Sequence, residues 1–131
     1  MVQTNIKDII ILGSSGGCLD IYDLIKDINI VKKKYNFVGF LENKKKIPQK
    51  YKKFYLGPFR NAKKFKNAYF ATAIGNENNF HNKENILANL QIENKKFHSL
   101  IHPTAIIGEN VKIGNGTIIH NGTYIGRNCK L

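Results

Sequence analysis

The chain reads as an α/β protein in which a small parallel-sheet unit runs into the first coils of a hexapeptide-repeat β-helix. Three features carry that reading: a strand, glycine turn and helix near the N-terminus, alternating strand and helix patterns after it, and an unbroken six-residue beat from Ile101 to Leu131. The beat is the most specific of the three. Aliphatic residues stand at Ile101, Ile107, Ile113, Ile119, Ile125 and Leu131, small or β-branched ones at Ala105, Val111, Thr117, Thr123 and Cys129, and Gly108, Gly114 and Gly126 directly follow three beats. An α-helix repeats about every 3.6 residues and a flat strand every two, so neither reproduces a strict six. A coil with three short sides does, because each aliphatic residue then points to the axis and stacks on its equivalent one coil later. Residues 101–131 make fewer than two coils at about eighteen residues each, and a solenoid needs roughly three repeats plus a cap. The simpler expectation is a fragment of a longer polypeptide; the other is a last coil covered by another chain.

The elements follow in order. Lys7 to Leu12 is a fully buried strand, Gly13-Ser14-Ser15-Gly16-Gly17 a glycine loop, and Leu19, Ile21, Tyr22, Leu24, Ile25 and Ile28 the apolar positions of an amphipathic helix. Tyr35 to Leu41 is the second strand, and the lysine-rich stretch after it, broken by Pro48, reads as a loop. Pro58 begins a short helix toward Phe65, Ala68 to Ile74 supplies another apolar strand ended by Gly75, and Phe80 to Ile92 has helical spacing with Ile86, Leu87 and Leu90 on one face. Phe97 to Leu100 is expected as the last strand, after which His102-Pro103 turns the chain into the β-helix. Strands alternating with helices imply a parallel sheet, so the expected division is 1–99 for the sheet unit and 100–131 for the β-helix.

Composition bounds the function. The net charge is +12, and Lys44, Lys45, Lys46, Lys50, Lys52, Lys53, Arg60, Lys63, Lys64 and Lys66 occur in one stretch without an acid. Nucleic acid is nevertheless not expected, because lysine outnumbers arginine nineteen to two whereas base-edge and bidentate phosphate recognition favour arginine. A solvated basic face, or long-range attraction of an anionic small molecule such as a nucleotide sugar or coenzyme A, accounts for the charge. The longest early apolar run, Ile9 to Leu12, is far short of a membrane span, and no signal architecture precedes it, so the cytoplasm is expected. Cys18, read as a loop residue, and Cys129, on a repeat position, form no metal or redox spacing and read as small packing residues.

The glycine loop lies where an open α/β sheet binds anions: after the first strand, with free N–H groups at the start of a helix whose dipole favours phosphate. Gly13-x-x-Gly16-Gly17 is not the dinucleotide fingerprint, and a purely structural turn reads as well from the residues alone. Glu42, at the carboxyl end of the second strand, stands where such folds place an acid for ribose or base, with Asn43 as a weaker companion; an ordinary strand-end charge is the other reading. Gly75 and Asn76 face the same crevice if the sheet is doubly wound, and are otherwise a plain turn. Of the histidines, His81 and His98 read as surface residues and His102 as part of the turn into the β-helix. His120, after an inward Ile119, points outward with no acid near it in sequence to orient it.

The runs ILGSSGGCLDIYDLI (11–25), VGFLEN (38–43), ATAIGN (71–76) and SLIHPTAIIGENVKIGNGTIIHNGTYIG (99–126) resemble, in order and spacing, the sugar O-acyltransferases of the sialic acid O-acetyltransferase type and the related acetyltransferases acting on UDP-4-amino sugars in bacillosamine synthesis. The resemblance spans the whole chain. It implies a small Rossmann-like nucleotide-sugar domain joined to a left-handed β-helix, a homotrimer with acetyl-CoA between neighbouring β-helices, no metal, and acyl transfer to a nucleotide-activated or sialic-type sugar in bacterial surface-glycan synthesis. By position it puts Gly13, Ser14, Ser15, Gly16 and Gly17 on the turn that holds the nucleotide sugar, with Ser15 where relatives commonly have glycine. Glu42 and Asn43 fall on the pair contacting nucleobase or ribose, Asn43 replacing a frequent acid, and Gly75 and Asn76 on the I-G-N turn. The family's catalytic histidine belongs to a later coil, beyond Leu131, so no catalytic residue is expected here and the chain alone is expected to be inactive. A non-catalytic nucleotide-sugar-binding or assembly module is the alternative, and a nicotinamide-dependent Rossmann enzyme a third that leaves the hexapeptides unexplained.

Overall fold

The computed structural model describes residues 5–14, 16–44, 46–74 and 83–131. Three parallel strands, β1 (Lys7–Leu12), β2 (Tyr35–Leu41) and β3 (Tyr69–Thr72), form a sheet in the order β2-β1-β3. The central strand is covered on both faces, which is why it reads as a continuous apolar run rather than an alternation. Ile9 and Ile11 point to one core, which they share with Ile21, Leu24, Ile25 and Ile28 of α1 (Gly16–Val31). Ile10 and Leu12 point to the other, with Leu41, Phe59, Phe70 and Leu90. All four β1 side chains are wholly buried, each contributing about 1.5–3 kcal/mol from removal of apolar surface from water.

The segment after β2 differs from a plain loop. Gln49–Phe54, starting directly after Pro48 where a loop was expected, is a 3-10 helix, and Phe59–Lys64, within the short helix expected from Pro58 toward Phe65, is another. Tyr51, Phe54 and Tyr55 pack onto the α1-side core while the lysines between them stay in water. Gly39 makes this possible, since a Cβ there would land on the Phe54 carbonyl oxygen. After β3 comes α2 (Lys83–Leu90), inside the predicted helical span, with Leu90 buried and Ile86 and Leu87 packed beside it. Its predicted start at Phe80, and His81, lie outside the described residues.

The expected strand at Phe97 to Leu100 does not form. Phe97 makes one isolated bridge to Phe70 and His98 N–H bonds the Phe70 carbonyl at 3.1 Å, after which the chain leaves the sheet. The His98 ring lies at this point. It is half-buried rather than on the surface, 2.5 Å from the Tyr35 hydroxyl through Nδ1 and edge-on to Tyr69.

Leu100 instead opens the coil. β4 (Leu100–Ile101) pairs with β6 (Ile118–Ile119), and β5 (Ile106–Ile107) with β7 (Tyr124–Ile125), all parallel. Partners Leu100 and Ile118, Ile106 and Tyr124, and Lys112 and Lys130 stand eighteen residues apart, which confirms three six-residue sides per coil. Ile119 and Ile125 are buried, Ile101, Ile107 and Ile113 half-buried, and Leu131 is half exposed. Asn110 and Asn128 take positive φ at equivalent corners and hydrogen-bond each other at 2.9 Å. Cys129 is exposed, unlike the packing role expected of it. No helix among the described residues is long and apolar enough to cross a membrane.

Candidate functional site

The carboxyl ends of the three strands converge on the glycine turn. Gly13 N–H bonds the Leu41 carbonyl at 2.8 Å and Ala73 N–H the Leu12 carbonyl at 2.7 Å, so β1, β2 and the segment leaving β3 meet at this point. Gly13 has φ +109°, and a Cβ would lie 3.0 Å from the Ala73 carbonyl carbon, so both conformation and space demand glycine. α1 begins immediately afterwards at Gly16, and the first-turn N–H groups of a helix have no intrahelical acceptors. This is the disposition that suits a diphosphate: backbone donors and the positive helix end directed at the crevice beyond the sheet.

Glu42 is the buried charged residue of the described chain, at 7% exposure. Its Oε1 accepts from Ser14 N–H at 3.1 Å and from Ser14 Oγ–H at 2.8 Å, and its Oε2 from Asn43 N–H at 2.9 Å. Three donors make burial of the carboxylate tolerable and clamp the glycine turn to the end of β2. Asn43 is committed as well, its Oδ1 receiving Phe59 N–H at 2.8 Å. The structure thus brings together Gly13, Ser14, Gly16, Gly17, Glu42 and Asn43. Ser15, Gly75 and Asn76 lie outside the described residues. Cys18 belongs to the first turns of α1, not to a loop, and burial followed by the nearby Glu42 charge pushes its thiol up to about 11. It is therefore a packing group rather than a nucleophile.

Two hollows border α1. One, of about 290 Å³, runs from Ser14 and Cys18 along α1 to the rings of Tyr22, Phe37, Tyr51 and Phe54. The other, of about 600 Å³, lies between α1 and the coil and is lined by Asp20, Asp23 and Asp27 together with His102, Thr104 and His120. The sequence offered His120 no acid; the fold supplies three across the groove. They recur along one face of α1 at spacings of three and four, a signal readable as a polar stripe but silent about what would face it. His120 is exposed, and its ring has no hydrogen-bond partner among the described residues. Among the described residues no three His, Cys, Asp or Glu side chains are placed so that they could hold a metal ion together.

The family model for the bacterial transferase hexapeptide (six repeats) matches residues 97–131. No curated protein sequence matches the chain. Among solved structures, a mutant of GDP-perosamine N-acetyl transferase from Caulobacter crescentus in complex with CoA and GDP-perosamine is similar over 95% of this chain at TM-score 0.71 and 12% identity. The acetyltransferase domain of PglB from Neisseria gonorrhoeae FA1090 in complex with acetyl coenzyme A is similar over 95% of the chain at TM-score 0.61 and 17% identity. The chain spans 56% and 60% of the length of these two structures. It carries a hexapeptide transferase repeat, and its fold is shared with sugar N-acetyltransferases.

Proposed function

We propose that this chain is the acceptor-binding part of an acyltransferase that moves an acetyl group from acetyl-CoA to an amine or hydroxyl of a nucleotide-activated sugar, as in bacterial surface-glycan synthesis. One observation carries the reading: a glycine turn at a helix N-terminus, clamped by buried Glu42, sits at the carboxyl edge of a parallel sheet continuous with an eighteen-residue-per-turn coil. Residues 1–99 are the Rossmann-like nucleotide-sugar unit and 100–131 open a left-handed β-helix of the kind that assembles as a homotrimer. In this reading backbone N–H groups from Gly13 to Gly17 hold the diphosphate. Glu42 orients the turn and Asn43 shapes the nucleoside side, and the resemblance assigns Gly75 and Asn76 to the same acceptor.

The reaction forms a C–N or C–O bond at the acetyl carbonyl and breaks the thioester C–S bond, the proton from the sugar nucleophile leaving through a general base and coenzyme A departing as thiol. None of the described histidines is assigned that task. His98 is held by Tyr35, His102 is committed to Asp27 and Thr104, and His120 has no orienting partner. The chain by itself is therefore expected to bind the acceptor without turning it over. Amide NMR with a UDP-linked 4-amino sugar tests this: shifts should concentrate at Gly13 to Cys18 and Glu42, and a thiol-detecting dye should report no release from acetyl-CoA. Shifts confined to the coil would overturn the acceptor assignment, and turnover above background would make His120 the first residue to replace.

A further inference from the structure

We propose that His102 is a positioning residue, locked in the Nε2–H tautomer, that ties α1 to two successive coils and fixes the width of the acidic groove. The ring is nearly enclosed, with its side chain 11% exposed. Nδ1 receives the Thr104 backbone N–H at 3.0 Å and lies 2.8 Å from Thr104 Oγ1. A nitrogen that accepts from a backbone N–H must present its lone pair, so the ring proton resides on Nε2. Nε2 lies 2.9 Å from Asp27 Oδ2, which accepts that proton's hydrogen bond. Because Nδ1 carries no proton, Thr104 Oγ1–H is the donor in their 2.8 Å contact, and the same oxygen accepts Gly122 N–H at 3.1 Å.

The result is a directed chain: Gly122 N–H to Thr104 Oγ1, Thr104 to His102 Nδ1, His102 Nε2–H to Asp27. It crosses from the second coil to the first and then to α1, the helix whose N-terminus carries the glycine turn. Gly122 and Thr104 are eighteen residues apart, one on each coil, and Gly122 holds φ +73° at its corner. A turn-capping histidine would need the Thr104 contacts alone. The Asp27 bond, between residues 75 apart in sequence, makes the ring a bracket between two units instead. Its bearing on acceptor geometry rests on the acyltransfer reading; the bracket itself does not.

A ligand-free experiment on the full chain decides it. Long-range proton–nitrogen NMR of the imidazoles should show His102 protonated at Nε2 and bare at Nδ1. Amide exchange at Gly122 should quicken about tenfold in Asp27→Ala, although Asp27 bonds neither Gly122 nor Thr104, because a freed ring loosens the Thr104 hydroxyl. His102→Asn, whose side-chain oxygen falls near the Nδ1 position, should keep Gly122 slow better than His102→Gln. A ring protonated at Nδ1, or Gly122 exchange indifferent to Asp27→Ala, would overturn the proposal, and the wild-type ring spectrum is decisive even if a variant fails to fold. Failure here leaves nucleotide-sugar binding untouched, and failure of that binding leaves the ring spectrum standing.

Discussion

At the scale of single residues, Glu42 is where site and stability meet. Replacing it by Gln keeps the shape but removes the charge that gathers the Ser14 and Asn43 donors, and should cost about 1–3 kcal/mol in urea unfolding while loosening the glycine turn. Gly13→Ala should be destabilising by a similar amount, because it combines φ +109° with a 3.0 Å approach to Ala73. The sequence marked both positions but not their roles. Glu42 was legible as an acid at a strand end; that it grips Ser14, 28 residues away, depends on β1 and β2 pairing Leu12 with Leu41, which no local pattern encodes. The same holds for His98, whose partner Tyr35 is 63 residues distant and whose place before an expected strand assigned it to the surface.

At the scale of elements, the six-residue beat was fully readable because register in a coil is a purely periodic property. Ile119→Ala should destabilise the coil by about 2–5 kcal/mol, as for other large-to-small core changes. Ile106→Ala, at a side chain 62% exposed on the outer face, should stay within about 0.5 kcal/mol. Less readable was the junction. Phe97 to Leu100 has strand composition, yet half the segment bridges the sheet and half begins the coil, with the His98 ring packed against Tyr35 and Tyr69 at the division. Burial, then Lys7 and Lys34, hold His98 below its ordinary value of 6.5. The unfolded chain therefore takes up that proton more readily than the folded one. The contribution of His98 to stability is complete above pH 6.5 and is lost as pH falls below it; His98→Phe should flatten this part of a stability profile recorded by circular dichroism.

At the scale of the whole molecule, charge and topology divide the labour. Cations crowd the segment that borders β2, while Asp20, Asp23 and Asp27 line the groove on the coil side of α1, so an overall charge of +12 coexists with a local acidic wall. Composition reported the sum but could not report the partition, because it depends on which face of α1 meets the coil. Under the proposed function, an anionic diphosphate at the glycine turn would be drawn by the general positive field. The most direct measurement is a calorimetric titration of the full chain with a UDP-linked 4-amino sugar and, under identical conditions, with NAD. Tighter binding of the nucleotide sugar, weakened when Gly16 is replaced by a bulky residue, is the expected result. Tighter binding of NAD, or nucleotide-sugar affinity indifferent to the Gly16 replacement, would contradict the assignment of the glycine turn to a nucleotide-sugar acceptor.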